Sequence, residues 1–171
     1  MQQPQPAEYR PFFQRYIDLV PQGDIIEILK QQAEEATRFF KSIPTGKHDY
    51  RYADGKWSIK QVIMHIADTE RVMSYRALVA ARGDTATVLY GMDENLYAET
   101  APYTGRAVED LLDEFNAVRA ATIHLLANIT DEQTMQAAHN TDGTSITPRA
   151  LAYIIAGHLL HHIQVIKERY L

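Results

Sequence analysis

Four stretches of this chain carry apolar residues at helical spacing, and no stretch sustains the two-residue alternation of a half-buried strand. That pattern confines the fold to helix packed on helix. The first stretch starts at Asp24, an N-cap with Glu27 three residues on in capping-box order. It runs through Ile25, Ile28, Leu29, Ala36 and Phe40 and stops at Pro44 and Gly46. The second has Ser58 as cap, Gln61 answering it and Trp57 placed to staple onto Val62. It continues to about Arg82, where Gly83 ends it. The third carries Val108, Leu111, Leu112, Phe115, Val118, Leu125 and Leu126, and the fourth opens with Thr147 and Pro148 as N-cap and N1 and runs unbroken to Leu171. Between the second and third lies Asp84 to Gly105, far longer than the ~2–8 residues usual in bundles, so it crosses the molecule or helps build a site. A helical turn is expected at Asp131–Met135, and His139 to Thr144 is dense in turn formers. The expectation is an all-α four-helix bundle over residues 24–171, preceded by a lead-in, residues 1–23, whose first six residues read as flexible.

Composition narrows the function. The 171 residues are 46% hydrophobic and 23% charged, with no apolar run near the ~20 residues of a membrane span and no secretory leader at Met1–Pro6. Net charge is −5 with basic residues scattered among acids, which argues against nucleic-acid binding through phosphates. A cytoplasmic home is the expectation. Cysteine is absent, so disulfides, thiolate metal ligands and cysteine nucleophiles are excluded, and any metal must be held by nitrogen and oxygen.

Those nitrogens have an evident source in Gly157-His158-Leu159-Leu160-His161-His162. His158 and His162 are four residues apart, one helical turn, and both lie inside the apolar stripe of Leu151, Ile154, Ile155 and Ile166. His161 falls on its flank. From spacing alone, the pair divides evenly between core packing and half of a metal site. Gly157 removes a side chain beside the pair and permits close approach of a neighbouring helix. On the second helix His65 sits on the shoulder of the apolar face, with Thr69, Val72 and Arg76 stacked along the same row. Such a position suits a residue reaching into a cleft between helices. Glu70 falls on the apolar face and needs a partner there; an arginine in the core is favoured over a ligand histidine. His124 faces solvent, while His48 and His139 lie in loops without partner spacing. Leu159 stands where a zincin needs glutamate, no nucleophile elbow or phosphate loop occurs, and paired Glu-x-x-His motifs are missing, so one metal is expected rather than two.

The run from Trp57 to Arg71, Trp57-Ser58-Ile59-Lys60-Gln61-Val62-Ile63-Met64-His65-Ile66-Ala67-Asp68-Thr69-Glu70-Arg71, resembles the signature second helix of the DinB-like (DinB/YfiT) superfamily. Gly157 to Gln164 resembles its closing helix, and the likeness spans Asp24 to Leu171. The resemblance implies an up-down-down-up four-helix bundle with a long second connection. It also implies a divalent metal held by three histidines, here His65, His158 and His162. Relatives of this kind include metal-dependent thiol S-transferases using bacillithiol, mycothiol or glutathione, and a mycothiol-dependent maleylpyruvate isomerase. The sulfoxide synthases with a related domain carry glutamate where Gln164 stands here and a further catalytic domain, so their activity is not expected.

The reading is therefore a metal-dependent enzyme, a thiol S-transferase or hydrolase, with one divalent ion of zinc, nickel or iron type. Lacking its own thiol, a transferase would take a low-molecular-weight thiol as co-substrate. Arg71, Arg76, Asp93 and Glu94 are the candidate contacts for a small-molecule substrate, and a homodimer is the expected assembly. The alternative is a non-catalytic ligand-binding or stress-response bundle whose metal site is structural or vestigial. What separates the two is whether a protein side chain closes the fourth coordination position.

Overall fold

A computed structural model describes all of residues 1–171. Its frame is four long helices, α2 (Ile25–Ser42), α3 (Ile59–Ala81), α5 (Val108–Ala127) and α7 (Pro148–Arg169). Short helices α1 (Gln14–Ile17), α4 (Glu94–Thr100) and α6 (Asp131–Met135) lie in the connections. The start signals act as the sequence predicts at α3, where Ser58 and Gln61 exchange side chain-to-backbone bonds of 3.0 and 3.3 Å. Thr147 caps α7 by accepting from the Ala150 amide. At α2 Asp24 caps Ile26 and Glu27, but the Glu27 carboxylate turns outward to Lys30, so the expected capping box is only half formed.

Each of α2 and α3 packs against both α5 and α7. The first two helices of the bundle therefore face each other across its diagonal. Cross-helix pairs give the directions. From α2, Leu29 meets Arg119 and Thr37 meets Asn116, so α5 runs antiparallel to it. Gln32 reaches Ala156 and Lys167 lies over Phe39, so α7 runs parallel to α2. From α3, Met64 meets Arg106 just before α5 and Arg71 meets Glu114, whereas Trp57 meets Tyr170 and His65 meets His158. So α5 is parallel and α7 antiparallel to α3, and the order is up-down-down-up. No helix is long and apolar enough to cross a membrane.

Two apolar clusters fill the bundle. One gathers Ile25, Leu29, Met73, Ala77 and residues 150–156; the other gathers Phe40, Ile59, Ile63, Phe115, Leu159 and Ile166. Between them lies a polar layer built from Gln32, Glu70, Arg119, His65 and His158. The long connection is partly ordered as β1 (Val88–Leu89), which pairs parallel to β2 (Ala138–Asn140), and β2 pairs antiparallel to β3 (Ser145–Ile146). Strands of two and three residues are too short to leave an alternation, and the run His139–Thr144 proves to be mostly a hairpin.

The lead-in, residues 1–23, packs on the bundle, and this includes the first six residues read as flexible, where Met1 lies against the core and Pro4 is buried. Pro6–Glu8 and Pro11–Phe13 form 3-10 turns, and α1 lies against α7. Glu8 accepts from Thr147 and Arg149, tying the segment to the start of α7, and Tyr9, Tyr16 and Ile17 are buried. The physical reason is Gly157: a Cβ built there would stand 1.9 Å from the Tyr16 carbonyl oxygen. The neighbour that the glycine admits is thus α1. Gly157→Ala gains helix propensity of ~1 kcal/mol but forces backbone against backbone. The expected outcome is a net loss of about 2 kcal/mol or more with the segment expelled, read as a lower Tm and new proteolytic cleavage within residues 1–20.

Candidate metal centre

Helix α3 delivers His65 from one side of the polar layer, and α7 delivers His158 and His162 from the other, one turn apart. The Nε2 atom of His158 lies 3.0 Å from Nε2 of His65 and 3.0 Å from Nε2 of His162. All three ligand atoms fall within 4.8 Å of one another, and no carboxylate joins them. His65 is 2% exposed and His158 7%; His162 is half-buried at the rim. The shoulder position read for His65 is thus fully enclosed. Aromatic rings hold the imidazoles, Trp57 at 4.6 Å from the His65 ring and Tyr16 at 5.4 Å from that of His158.

Three neutral imidazoles aimed at one point are not a self-sufficient core arrangement. The Nε2 of His158 has two neighbours of the same kind, and a single proton there can serve only one of them. The remaining lone pairs face each other. Burial also disfavours relieving this by protonation: desolvation lowers the His65 pKa from 6.5 to about 4, and burial together with the neighbouring imidazoles pushes His158 and His162 well below 6.5. A cation at the common point removes the conflict. A tetrahedral ion with ~2.0–2.1 Å bonds to nitrogen sets its ligands roughly 3.3 Å apart, near the spacing seen. The donor set fits one borderline divalent metal. The Nδ1 of His65 has no hydrogen-bond partner, so packing on Trp57, and no acceptor, fixes that ring.

Two clefts open onto the histidines. One, of about 420 Å3, is lined by His161, His162, Trp57, Tyr52 and Tyr170. The other, of about 380 Å3, is lined by His65, His158, Tyr16, Met73 and Arg76. Glu94 lines both. No fourth histidine, aspartate or glutamate joins the cluster, and its three histidines line the two clefts.

The other anticipated residues divide. Arg76 lines the second cleft, as do Thr69 and Val72 of the same helical row. Arg71 does not reach a cleft on this side; Asp68 and Glu114 hold it at 2.9 and 2.7 Å. Asp93 caps α4 through the Leu96 amide and so positions Glu94. Glu70 pairs with Arg119 in the core, as favoured, and makes no bond to His65. His161 packs on Tyr16 outside the three-nitrogen cluster, His124 and His139 are exposed, and His48 is buried with its Nε2 3.0 Å from the Ile43 carbonyl. Tyr16, Arg10 and Phe13 line the second cleft without any advance signal, because they belong to the segment taken as a lead-in.

Comparison with known proteins agrees with this architecture. A protein of Oceanobacillus iheyensis named "putative metal-dependent hydrolase" is 28% identical over 148 residues, covering 84% of each chain. YfiT from Bacillus subtilis, described as a probable metal-dependent hydrolase with an unusual four-helix bundle topology, superposes with a TM-score of 0.76 at 19% identity, over 98% of this chain and 90% of that one. The mycothiol-dependent maleylpyruvate isomerase shares the fold with a TM-score of 0.65 at 12% identity, over 86% of this chain but 61% of that one. The sequence profile of the DinB superfamily matches residues 28–166, from early in α2 to the last turns of α7, and the chain belongs to that superfamily.

Proposed function

We propose that this chain is a metal-dependent hydrolase in which His65, His158 and His162 hold one divalent ion of zinc, nickel or iron type. The observation that carries the reading is the convergence of three Nε2 atoms, joined by no fourth histidine or carboxylate, on histidines that line two clefts. When bound, such an ion supplies a polarised carbonyl and a water acidic enough to ionise near neutral pH. The protein's own groups do the remaining work. Tyr16 and Trp57 hold the imidazoles from outside and keep bulk water off the buried ring edges. Glu94, held at the start of α4 by the Asp93 cap, lines both clefts, and to it we assign the carriage of a proton from the attacking water to the leaving atom. Glu94→Gln is expected to keep full metal content and lower kcat about 100-fold or more.

The two clefts favour a second reading, transfer of a low-molecular-weight thiol, with thiol and acceptor approaching the same centre from opposite sides. The absence of cysteine requires that such a thiol come from outside. The test is metal analysis of untagged protein, followed by turnover of ester and amide panels with and without bacillithiol, mycothiol or glutathione. Thiol-independent turnover supports hydrolysis, and thiol-dependent turnover supports transfer. Protein that binds no metal above background overturns both. The homodimer is assigned to the exposed face of α3 and α5 around Tyr75, Leu78 and Leu125, and light scattering reads it directly.

A further inference from the structure

The second cleft contains a charged group outside any ion pair, although the Glu94 carboxylate also lines that cleft. Arg76 is only 8% exposed, yet its guanidinium donates to the Tyr90 carbonyl at 2.7 Å and to the Met73 sulfur at 3.6 Å, and no carboxylate lies within ion-pair distance. Burial lowers the Arg76 pKa, and the charge of Arg10, which lines the same cleft, lowers it further. Arg10 itself is matched by Asp142 at 2.8 Å and by Thr144. A desolvated, unpaired guanidinium is costly, and an isolated protein tolerates it where a ligand supplies the anion. One turn beyond His65 on the same row, the Thr69 hydroxyl is 6% exposed, lines the cleft and has no hydrogen-bond partner. The walls between are apolar: Phe13, Val72, Met73, Met92 and Ile154.

We infer that this cleft takes a substrate with a single carboxylate, anchored by Arg76, whose apolar body passes Thr69 and presents its reacting carbonyl at His65 and His158. The inference rests on the hydrolase reading for the identity of the reacting end alone. The helix acts as a ruler. Arg76 bends back to the level of Met73, and eight residues at ~1.5 Å each place its head about 12 Å along the axis from the level of His65. Contacts of ~3 Å at each end leave roughly 6 Å, the length of four or five bonds. The Thr69 hydroxyl is then midway, available to a polar atom of the substrate chain. A single anion is specified because Arg10 already has Asp142.

The test is made first on metal-free full-length protein, so that carboxylate binding to a metal cannot mimic the result. 5-Phenylpentanoate and 5-phenylpentan-1-ol are titrated while the methyl resonances of Met73 and Met92 are followed by NMR. The acid is expected to bind about 10-fold or more tightly than the alcohol, the effect of one charge-assisted hydrogen-bonded pair. Arg76→Gln should erase that preference and Arg76→Lys should keep part of it, both with Tm at or above the wild-type value. Equal affinity for acid and alcohol in the wild type, absence of saturable binding by either, or a preference that survives Arg76→Gln would overturn the inference. The wild-type comparison decides even where a variant does not fold. A metal-free protein that discriminates while the metal-loaded enzyme hydrolyses nothing would leave the anion site standing and remove the hydrolase reading.

Discussion

His158→Ala is expected to reduce bound metal from about one ion per chain to background and to lower turnover at least about 100-fold, since disturbing even the groups that merely support metal ligands costs ~10–100-fold. It should be the most damaging of the three ligand substitutions, because His158 Nε2 is the atom within 3.0 Å of both others. His65→Ala should follow closely, and His162→Ala, at the half-exposed rim, should leave weak residual binding into which water substitutes. His161→Ala is the control and should keep the metal, since its ring lies outside the cluster. Metal content by mass spectrometry and tryptophan fluorescence from Trp57, whose ring lies 4.6 Å from His65, give two readouts independent of turnover. The metal-free protein carries a linked signature in pH. His65 titrates near 4 when folded against 6.5 ordinarily, so below pH 6.5 the unfolded chain binds more protons than the folded one. Stability is therefore full above pH 6.5 and falls as pH drops towards about 4, by up to ~1.4 kcal/mol per pH unit for that one histidine. Urea unfolding of the metal-free protein at pH 7.5 and pH 5 should show the decline, and His65→Ala should reduce it.

The long helices were legible because their ends carry chemistry that acts locally. Ser58 with Gln61, and Thr147 with Pro148, declare helix starts within four residues of sequence, and the structure places α3 and α7 there. His158 and His162 were legible for the same reason, since helical geometry alone sets them on one face. Meeting His65 required knowing that α3 and α7 are antiparallel neighbours, a property of topology that only the family resemblance supplied. What stayed hidden was non-local. Residues 1–23 lack helical periodicity because Tyr9, Tyr16 and Ile17 bury themselves individually against α7. Gly157 advertised a close approach but not which segment made it. Of the charged candidates for substrate contact, Arg71 and Arg76 look alike in sequence; one is neutralised by Asp68 and Glu114, and the other bonds a backbone carbonyl and forms no ion pair. Partners distant in the chain make that difference, so no window of sequence contains it.

The second large effect concerns the pair that the polar layer hides from solvent. Glu70→Ala is expected to cost about 3–5 kcal/mol, because it strands the Arg119 guanidinium in the core. Glu70 and Arg119 are 2% and 1% exposed. Arg119 Nε donates to Glu70 Oε1 at 2.8 Å and Nη2 donates to Oε2 at 2.9 Å, while Nη1 reaches the Leu29 carbonyl and Gln32. One guanidinium thus joins α2, α3 and α5 at a single level. Arg119→Ala should be similarly costly, leaving the carboxylate unpaired and a large void. At ~2–4 °C per kcal/mol for a domain of this size, either single substitution should lower Tm by roughly 10 °C. The double variant Glu70→Leu with Arg119→Met should recover most of the loss, because it removes both desolvated charges and keeps the volume filled. A double-mutant cycle in urea measures the coupling. The same double variant separates structure from site chemistry. Glu70 makes no bond to His65, and Trp57 and Tyr16 hold the imidazoles, so metal content should remain that of the wild type. A double variant restored in Tm but emptied of metal would instead show that Glu70 governs the histidines through the register of α3.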